Sequence, residues 1–168
     1  MLKQDRRSWL LAISALIIVL DRWSKIWVAH HIADGDAITV IPRYFYISHV
    51  LNPGAAFSLF SDSATPGRTR WLLTSFSILA AVIVLGLIFK IGRRFSATTI
   101  ALALILGGAI GNVWDRIHYG VVTDFLEVFL RWGQWSYHWP DFNIADSAIV
   151  CGGILIMLDA LLPKKSTS

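Results

Sequence analysis

A chain of 168 residues in which 55% of the residues are hydrophobic and only 15% are charged is too apolar for a soluble domain, since soluble domains carry roughly 25% charged residues. The net charge of +4 does not indicate nucleic-acid binding, because the basic residues cluster at the ends of apolar segments. The composition predicts a polytopic membrane protein with a single domain over residues 1–168.

Four apolar segments are long enough to cross a bilayer as helices. We predict spans over residues 9–28, 71–89, 95–114 and 143–163, each close to the roughly 20 residues needed to cross about 30 Å of hydrocarbon. The second and third contain no charged residue, whereas Asp21, Arg22 and Lys25 interrupt the last turns of the first, and the fourth carries Asp146 near its start. A charge inside a membrane is costly and marks a candidate functional site, so Asp146 needs a partner.

Lysine and arginine clusters predict the orientation of these spans. Cytoplasmic loops carry an excess of both residues, so the clusters belong inside and both termini are predicted to be cytoplasmic. The two long connections, over residues 30–70 and 115–142, then lie outside and carry structure and function. The clusters are Lys3, Arg6 and Arg7; Lys90, Arg93 and Arg94; and Lys164 and Lys165.

The outer connections show weaker patterns. Residues 37–51 (AITVIPRYFYISHVL) mix β-branched and aromatic residues with partial alternation, which predicts one or two strands with an edge or break at Pro42. The following NPGAAFSLF predicts a turn and then an apolar segment along the membrane surface. The second connection contains FLRWGQWSYHWP, whose tryptophans are typical of an interfacial belt.

Polar residues at helical spacing recur near the outer ends of three spans. Residues spaced i, i+3 and i+4 share one face of a helix, and an acid and a lysine at i, i+4 suit a local ion pair. Asp124, in the motif GVVTDF, adds a carboxylate from the second outer connection. With the inferred topology these groups gather at one membrane face. They are Asp21 and Lys25; Asn112, Asp115 and Arg116; and Asn143 and Asp146.

Two carboxylates brought together in this way support peptide hydrolysis. Neighbouring carboxyl groups do not both ionise easily, so one keeps a proton for the substrate carbonyl while the other takes a proton from water. A proton- or cation-coupled transporter is the alternative, although transporters place their acids at mid-membrane. No metal centre is predicted, because the five histidines fit no metal-binding spacing such as HExxH.

Structural interpretations compete with this hypothesis. Asp115 and Arg116 could form an interfacial charge pair that ends a helix, and Asp146 could be a first-turn acid favoured by the helix dipole. Gly107 and Gly111 form a GxxxG pattern, which indicates close helix packing. The single cysteine, Cys151, is predicted to be a small packing residue.

Five short motifs in register resemble the bacterial lipoprotein signal peptidases (signal peptidase II). They are DRWSK at 21–25, NPGAAFS at 52–58, GNVWDR at 111–116, GVVTDF at 120–125 and FNIADSAI at 142–149. The resemblance implies an intramembrane aspartyl endopeptidase that cleaves prolipoproteins just before a diacylglyceryl-modified cysteine. It implies an all-α membrane fold of four transmembrane helices, with a small extracytoplasmic β-cradle and an interfacial helix.

The resemblance also assigns residues and partners. Asp124 and Asp146 match the catalytic pair, and the chemistry needs no cofactor or metal. The expected partners are prolipoprotein substrates, membrane lipid and the cyclic-peptide inhibitor globomycin, and the expected location is the bacterial inner membrane with the active site on its outer side. One departure is Thr123, where the family usually has an aliphatic residue. Asn52, Gly54, Asn112, Arg116 and Asn143 match substrate- or inhibitor-binding positions, and Asp21, Lys25 and Asp115 match supporting polar positions.

Overall fold

The computed structural model describes residues 5–54 and 66–162, which form four helices and a four-stranded sheet. The apolar part of NPGAAFSLF, predicted to lie along the membrane surface, lies outside the described residues. The helices are α1 (Arg7–His31), α2 (Pro66–Ile91), α3 (Ala97–His118) and α4 (Ile144–Leu161). The strands are β1 (Ala37–Ile41), β2 (Phe45–Asn52), β3 (Val122–Trp132) and β4 (Trp135–Phe142).

Helix α3 is the centre of the helical part and packs against the other three helices. Small residues allow these close approaches: a Cβ atom added to Gly107 would lie 2.8 Å from the Ile17 Cβ in α1. A Cβ on Gly108 would overlap the backbone oxygen of Ala145 in α4. The prediction that the GxxxG pattern marks close helix packing is therefore confirmed.

Three helices have the length and apolar composition of membrane spans: Arg70–Ile91, Ala97–His118 and Ile144–Leu161. Helix α1 is 25 residues long. It differs from these three because Asp21, Arg22 and Lys25 lie close together and interrupt its apolar sequence. Most large side chains on α2, including Leu72, Phe76 and Val82, are exposed, as expected of a helix that faces lipid. The chain therefore has the features of a multi-pass membrane protein.

Helix α3 is longer than the third predicted span. A span over 95–114 stops before the charged residues, whereas α3 continues through Asp115 and Arg116 to His118. The extension is possible because both side chains are buried against polar groups of other elements. At the other end the Ser96 side chain accepts a hydrogen bond from the backbone N–H of Thr99, which forms a capping box and starts the helix.

The four strands form one antiparallel sheet in the order β1-β2-β3-β4. The strand prediction over 37–51 is confirmed as a hairpin, and Pro42 lies in the turn between β1 and β2. The interpretation of FLRWGQWSYHWP as only an interfacial belt missed the β3–β4 hairpin. Gly133, with φ +58°, makes the turn of that hairpin and was its available sequence signal.

The sheet is attached to the helices at one end of the bundle. Phe125 of β3 forms a buried cluster with Val28 and Ile32 at the end of α1, and Ile47 and Leu126 pack against this cluster. The start of β3 is thereby held beside the beginning of α4. Acidic side chains from a strand and a helix can meet at this junction.

Candidate active site

Asp124 is a buried carboxyl group that accepts two amide hydrogen bonds. Asn52 at the end of β2 donates from Nδ2 to its Oδ2 at 2.8 Å, and Asn143 donates from Nδ2 to its Oδ1 at 2.7 Å. The pKa of Asp124 is raised from 3.8 to about 7, chiefly by burial and next by the nearby Asp146 carboxylate, while the two amide hydrogen bonds and the charge of Lys25 lower it. This side chain can therefore gain or lose a proton near neutral pH.

Asp146 is placed by the first turn of α4. It forms a reciprocal capping box with Asn143, whose Oδ1 accepts from the Asp146 N–H at 2.9 Å and whose N–H donates to Asp146 Oδ2 at 3.3 Å. Asn112 of α3 donates from Nδ2 to the other carboxylate oxygen at 2.8 Å. Asp146 is therefore a first-turn acid, as one of the structural interpretations predicted. It is also connected to Asp124, because Asn143 forms hydrogen bonds with both residues.

A buried ionic network lies behind the two amides. Lys25 Nζ is 2.8 Å from Asp21 Oδ2, 2.8 Å from Asp115 Oδ2 and 3.1 Å from Asn112 Oδ1. The predicted Asp21–Lys25 ion pair is confirmed. Asp21 also accepts a hydrogen bond from the backbone N–H of Ala145 at 3.1 Å, so the network connects α1 to the first turn of α4.

The alternative in which Asp115 pairs with the adjacent Arg116 is wrong. The ion-pair partners of Asp115 among the described residues are Lys25 and Arg22, because adjacent helical residues point about 100° apart. Arg22 was not singled out from the sequence, although it lies inside the DRWSK motif. Arg22 and Asp115 are 93 positions apart, so a single sequence does not indicate that they form an ion pair.

Arg116 is buried and holds the turn after β2. Its Nη2 donates to the Gly54 carbonyl at 3.1 Å, and the Gly54 N–H donates to Asn52 Oδ1 at 2.8 Å. The Arg116 Nε atom is buried without a hydrogen-bond partner in the described part of the chain.

Both acids line one cavity of about 350 Å³ between β4 and α4. Its walls include Trp139, Phe142 and Val150, which are largely apolar. Cys151 also lines the cavity and is exposed, so its prediction as a packing residue is wrong. A polar pair at the end of an apolar cavity suits a substrate with both peptide and hydrocarbon parts.

Most of the residues predicted for the site lie together. Asp124, Asp146, Asn52, Asn112 and Asn143 form one hydrogen-bonded group. Thr123 contributes its carbonyl oxygen, which accepts from Asn143 Nδ2 at 3.3 Å. One group of potential metal ligands, which the sequence did not indicate, lies on the β3–β4 hairpin: Glu127, His138 and Asp141.

Comparisons with known proteins identify the family of this chain. Residues 13–162 match the model of the family described as signal peptidase (SPase) II. The lipoprotein signal peptidase of Solibacter usitatus is 40% identical over 156 residues, which cover 93% of this chain and 92% of that protein. The lipoprotein signal peptidase of Alteromonas mediterranea is 41% identical over 161 residues, which cover 95% of this chain and 85% of that protein.

A solved structure gives the same result for the fold. A bacterial membrane enzyme determined by the in meso method at 2.3 Å resolution superposes with a TM-score of 0.83 at 26% identity, covering 100% of this chain and 96% of that one. A second, determined at 1.9 Å, superposes with a TM-score of 0.79 at 27% identity. The helical bundle and its small sheet are therefore a fold shared with bacterial membrane enzymes.

Proposed function

This chain belongs to the signal peptidase II family, and we propose that it removes signal peptides from prolipoproteins as an intramembrane aspartyl endopeptidase. The observation that carries the proposal is the pairing of Asp124 and Asp146 through Asn143 in one cavity. The relatives described above are lipoprotein signal peptidases, which supports the same substrate class here.

Asp124 and Asp146 act as one unit in the proposed reaction. They share a proton: the ionised carboxylate takes a proton from water, whose oxygen attacks the scissile carbonyl, and the neutral carboxyl donates its proton to the carbonyl oxygen. Collapse of the tetrahedral intermediate breaks the C–N bond and the amine leaves with a proton from the pair. The pKa of about 7 for Asp124 supports a proton held near neutral pH. No metal or cofactor takes part.

Amide and guanidinium groups bind and orient the substrate in this account. Asn52, Asn112 and Asn143 keep the carboxyl groups in position. Arg116, whose Nη2 donates to the Gly54 carbonyl, is proposed to bind the substrate backbone beside them. Gly54 shapes the adjoining turn. Asp21, Lys25 and Asp115 are positioning residues, since their hydrogen bonds and ion pairs among the described residues lead to Asn112 and the start of α4 and not to the two carboxylates themselves. Globomycin is expected to occupy the same cavity.

The substrate is a prolipoprotein whose cysteine carries a diacylglyceryl group. Its acyl chains anchor the cysteine in the bilayer and fix the depth of the scissile bond, so binding supplies proximity to the two acids. We further propose four transmembrane helices, α1 included, in the bacterial inner membrane, with both termini cytoplasmic and the site at the outer face. The ion pair between Asp21 and Lys25 supports α1 as a membrane-spanning helix, since the two charges neutralise each other.

A cleavage assay in detergent tests the proposal. The purified protein is incubated with a diacylglyceryl-modified prolipoprotein and the product is followed by gel shift, with the same prolipoprotein lacking the lipid as control. We expect cleavage of the lipidated substrate only, inhibition by globomycin, and full activity in EDTA. If the protein cleaves nothing but moves protons or cations in sealed vesicles, the protease proposal is wrong and a transporter is indicated.

A further inference from the structure

Three potential metal ligands meet on one face of the β3–β4 hairpin. Glu127 comes from β3, and His138 and Asp141 come from β4. One ligand atom from each side chain lies within 4.8 Å of the other two. His138 Nε2 is 3.4 Å from Glu127 Oε1 and 3.9 Å from Asp141 Oδ1.

A β-bulge brings these side chains together. In a regular strand, residues three apart point to opposite faces, so His138 and Asp141 would be separated by the sheet. Val128 pairs with Trp139, and Leu126 pairs with Phe142. Between these two pairs, Glu127 lies opposite two residues of β4 instead of one. This extra residue turns Asp141 to the face that carries His138 and Glu127.

Neighbouring side chains orient two of the three ligands. The His138 ring stacks on Phe129 with a centroid distance of 4.6 Å and an interplanar angle of 16°. Ser48 of β2 donates from Oγ to Asp141 Oδ1 at 3.3 Å. Such outer partners fix ligand orientation in metal sites. His138 is 45% exposed, so an ion can reach the group from solvent.

The spacing of the ligand atoms matches a tetrahedral ion. With metal–ligand bonds of about 2.0–2.2 Å, two ligands of a tetrahedral zinc ion lie about 3.3–3.6 Å apart. The Glu127–His138 distance of 3.4 Å falls in this range, and the Asp141–His138 distance of 3.9 Å needs only a small side-chain rotation. One imidazole nitrogen with two carboxylate oxygens favours zinc over magnesium, which prefers six oxygens.

We propose that Glu127, His138 and Asp141 bind one divalent transition-metal ion of the zinc class, with a fourth position open to water. The ion would join β3 to β4 at the bulge and stabilise the hairpin beside the cavity. The two-aspartate reaction proposed above does not use this ion, so metal binding can be measured whether or not the protein cleaves prolipoproteins.

Calorimetric titration with zinc chloride tests the site on full-length protein purified without a polyhistidine tag. We expect one saturable site, about tenfold or more weaker binding in both Glu127→Gln and His138→Ala, and a loss of about tenfold in Ser48→Ala. His118→Ala is the matched control, because His118 is an exposed histidine that stacks on Trp114 in α3, and it should bind as the wild type does. Magnesium chloride should give no saturable heat.

Thermal unfolding gives a second readout. Zinc should raise the unfolding midpoint of the wild type, because a ligand that binds only the folded state stabilises it. At the same zinc concentration it should raise the midpoint of Glu127→Gln by clearly less. This variant is close in shape to the native side chain, and its metal-free midpoint reports its folding. Two results overturn the proposal and leave ordinary ion pairs between the three side chains: absence of saturable zinc binding by the wild type, or binding by Glu127→Gln and His138→Ala that is as tight as that of the wild type.

Discussion

Asn143 connects the two aspartates because each end of its amide has a different fixed partner. Its Oδ1 accepts from the Asp146 N–H, so its Nδ2 must face Asp124. Asn112 is fixed in the same way, since its Oδ1 faces Lys25 and its Nδ2 therefore faces Asp146. The oxygen and nitrogen of both amides are thus assigned by their hydrogen-bond partners.

The pKa of Asp124 predicts how cleavage depends on pH. Below the pKa of about 7 the pair holds the proton that the carbonyl oxygen needs, and above it that proton is lost. We expect kcat/KM to fall by about tenfold per pH unit above about pH 7, and to fall again in acid where both groups are protonated. The profile belongs to the pair. A rate constant that stays level up to pH 9 contradicts this prediction.

Lys25 is predicted to be a large contributor to stability. It is 2% exposed and lies between Asp21 and Asp115. In Lys25→Met the two carboxylates lose their shared cation, and breaking a buried ion pair costs about 3–5 kcal/mol. Denaturant unfolding in detergent measures the loss, with the exposed Lys90→Met as control. Equal unfolding free energies for the two variants would refute this role.

At the scale of the elements, the contact between α3 and α4 sets the position of Asp146. Gly108 allows it, because any Cβ there would meet the backbone oxygen of Ala145, which cannot move aside like a flexible side chain. Asp146 follows Ala145 directly in the first turn of α4. A shift of this turn therefore moves the carboxylate away from Asn112.

Gly108→Ala is accordingly predicted to lose both stability and activity. Overpacking costs about 1–3 kcal/mol, and cleavage should fall with it because the first turn of α4 is displaced. Gly153→Ala is the matched control: no atom lies within 4 Å of a Cβ added there, and alanine is a better helix former by about 1 kcal/mol. Unfolding and cleavage measured on both variants check the prediction, which fails if Gly108→Ala behaves like Gly153→Ala.

Helices were easier to predict than strands in this chain for a physical reason. Long apolar runs give α2, α3 and α4 a strong signal, since a bilayer requires about 20 such residues. The β3–β4 hairpin was missed although β4 alternates aromatic and polar residues, because its aromatic side chains Trp135, Tyr137 and Trp139 are exposed and so resemble an interfacial belt as much as a strand. Helix ends were also hard to predict where tertiary partners bury charged residues, as at Asp115 and Arg116.

At the scale of the whole molecule, the site is assembled from distant parts of the chain. The Asn52–Asp124 hydrogen bond joins residues 72 positions apart, and the Asn112–Asp146 bond joins residues 34 apart. Motifs identified most of the residues, but spacing could reveal only local partners such as Asp21 and Lys25. The long-range partners depend on how the sheet rests on the helices, which no single sequence window contains.

The proposed topology predicts the result of reporter fusions. Fusions at Arg93 and after Lys165 should report a cytoplasmic location, because both lie within basic clusters. Fusions near Ser63 and at Gly133, in the two long connections, should report the outer side. An outside signal at Arg93 would mean that the orientation is the opposite of the proposed one, and that the site does not open to the outer side.

The measurement that tests the central claim most directly is single-turnover cleavage of a lipidated prolipoprotein by Asp124→Asn and Asp146→Asn. Each should lose at least about a thousandfold in rate, because residues that act as a unit fail together. Asp34→Asn, at an exposed position, is the control for the substitution itself. Asp124→Ala is added because Asn52 and Asn143 both donate to Asp124, so an asparagine there brings a competing donor. Unfolding midpoints verify that each variant is folded. Loss of cleavage in the folded variants with full activity in Asp34→Asn is the predicted result, and substantial turnover by any folded variant at Asp124 or Asp146 would contradict the two-aspartate mechanism.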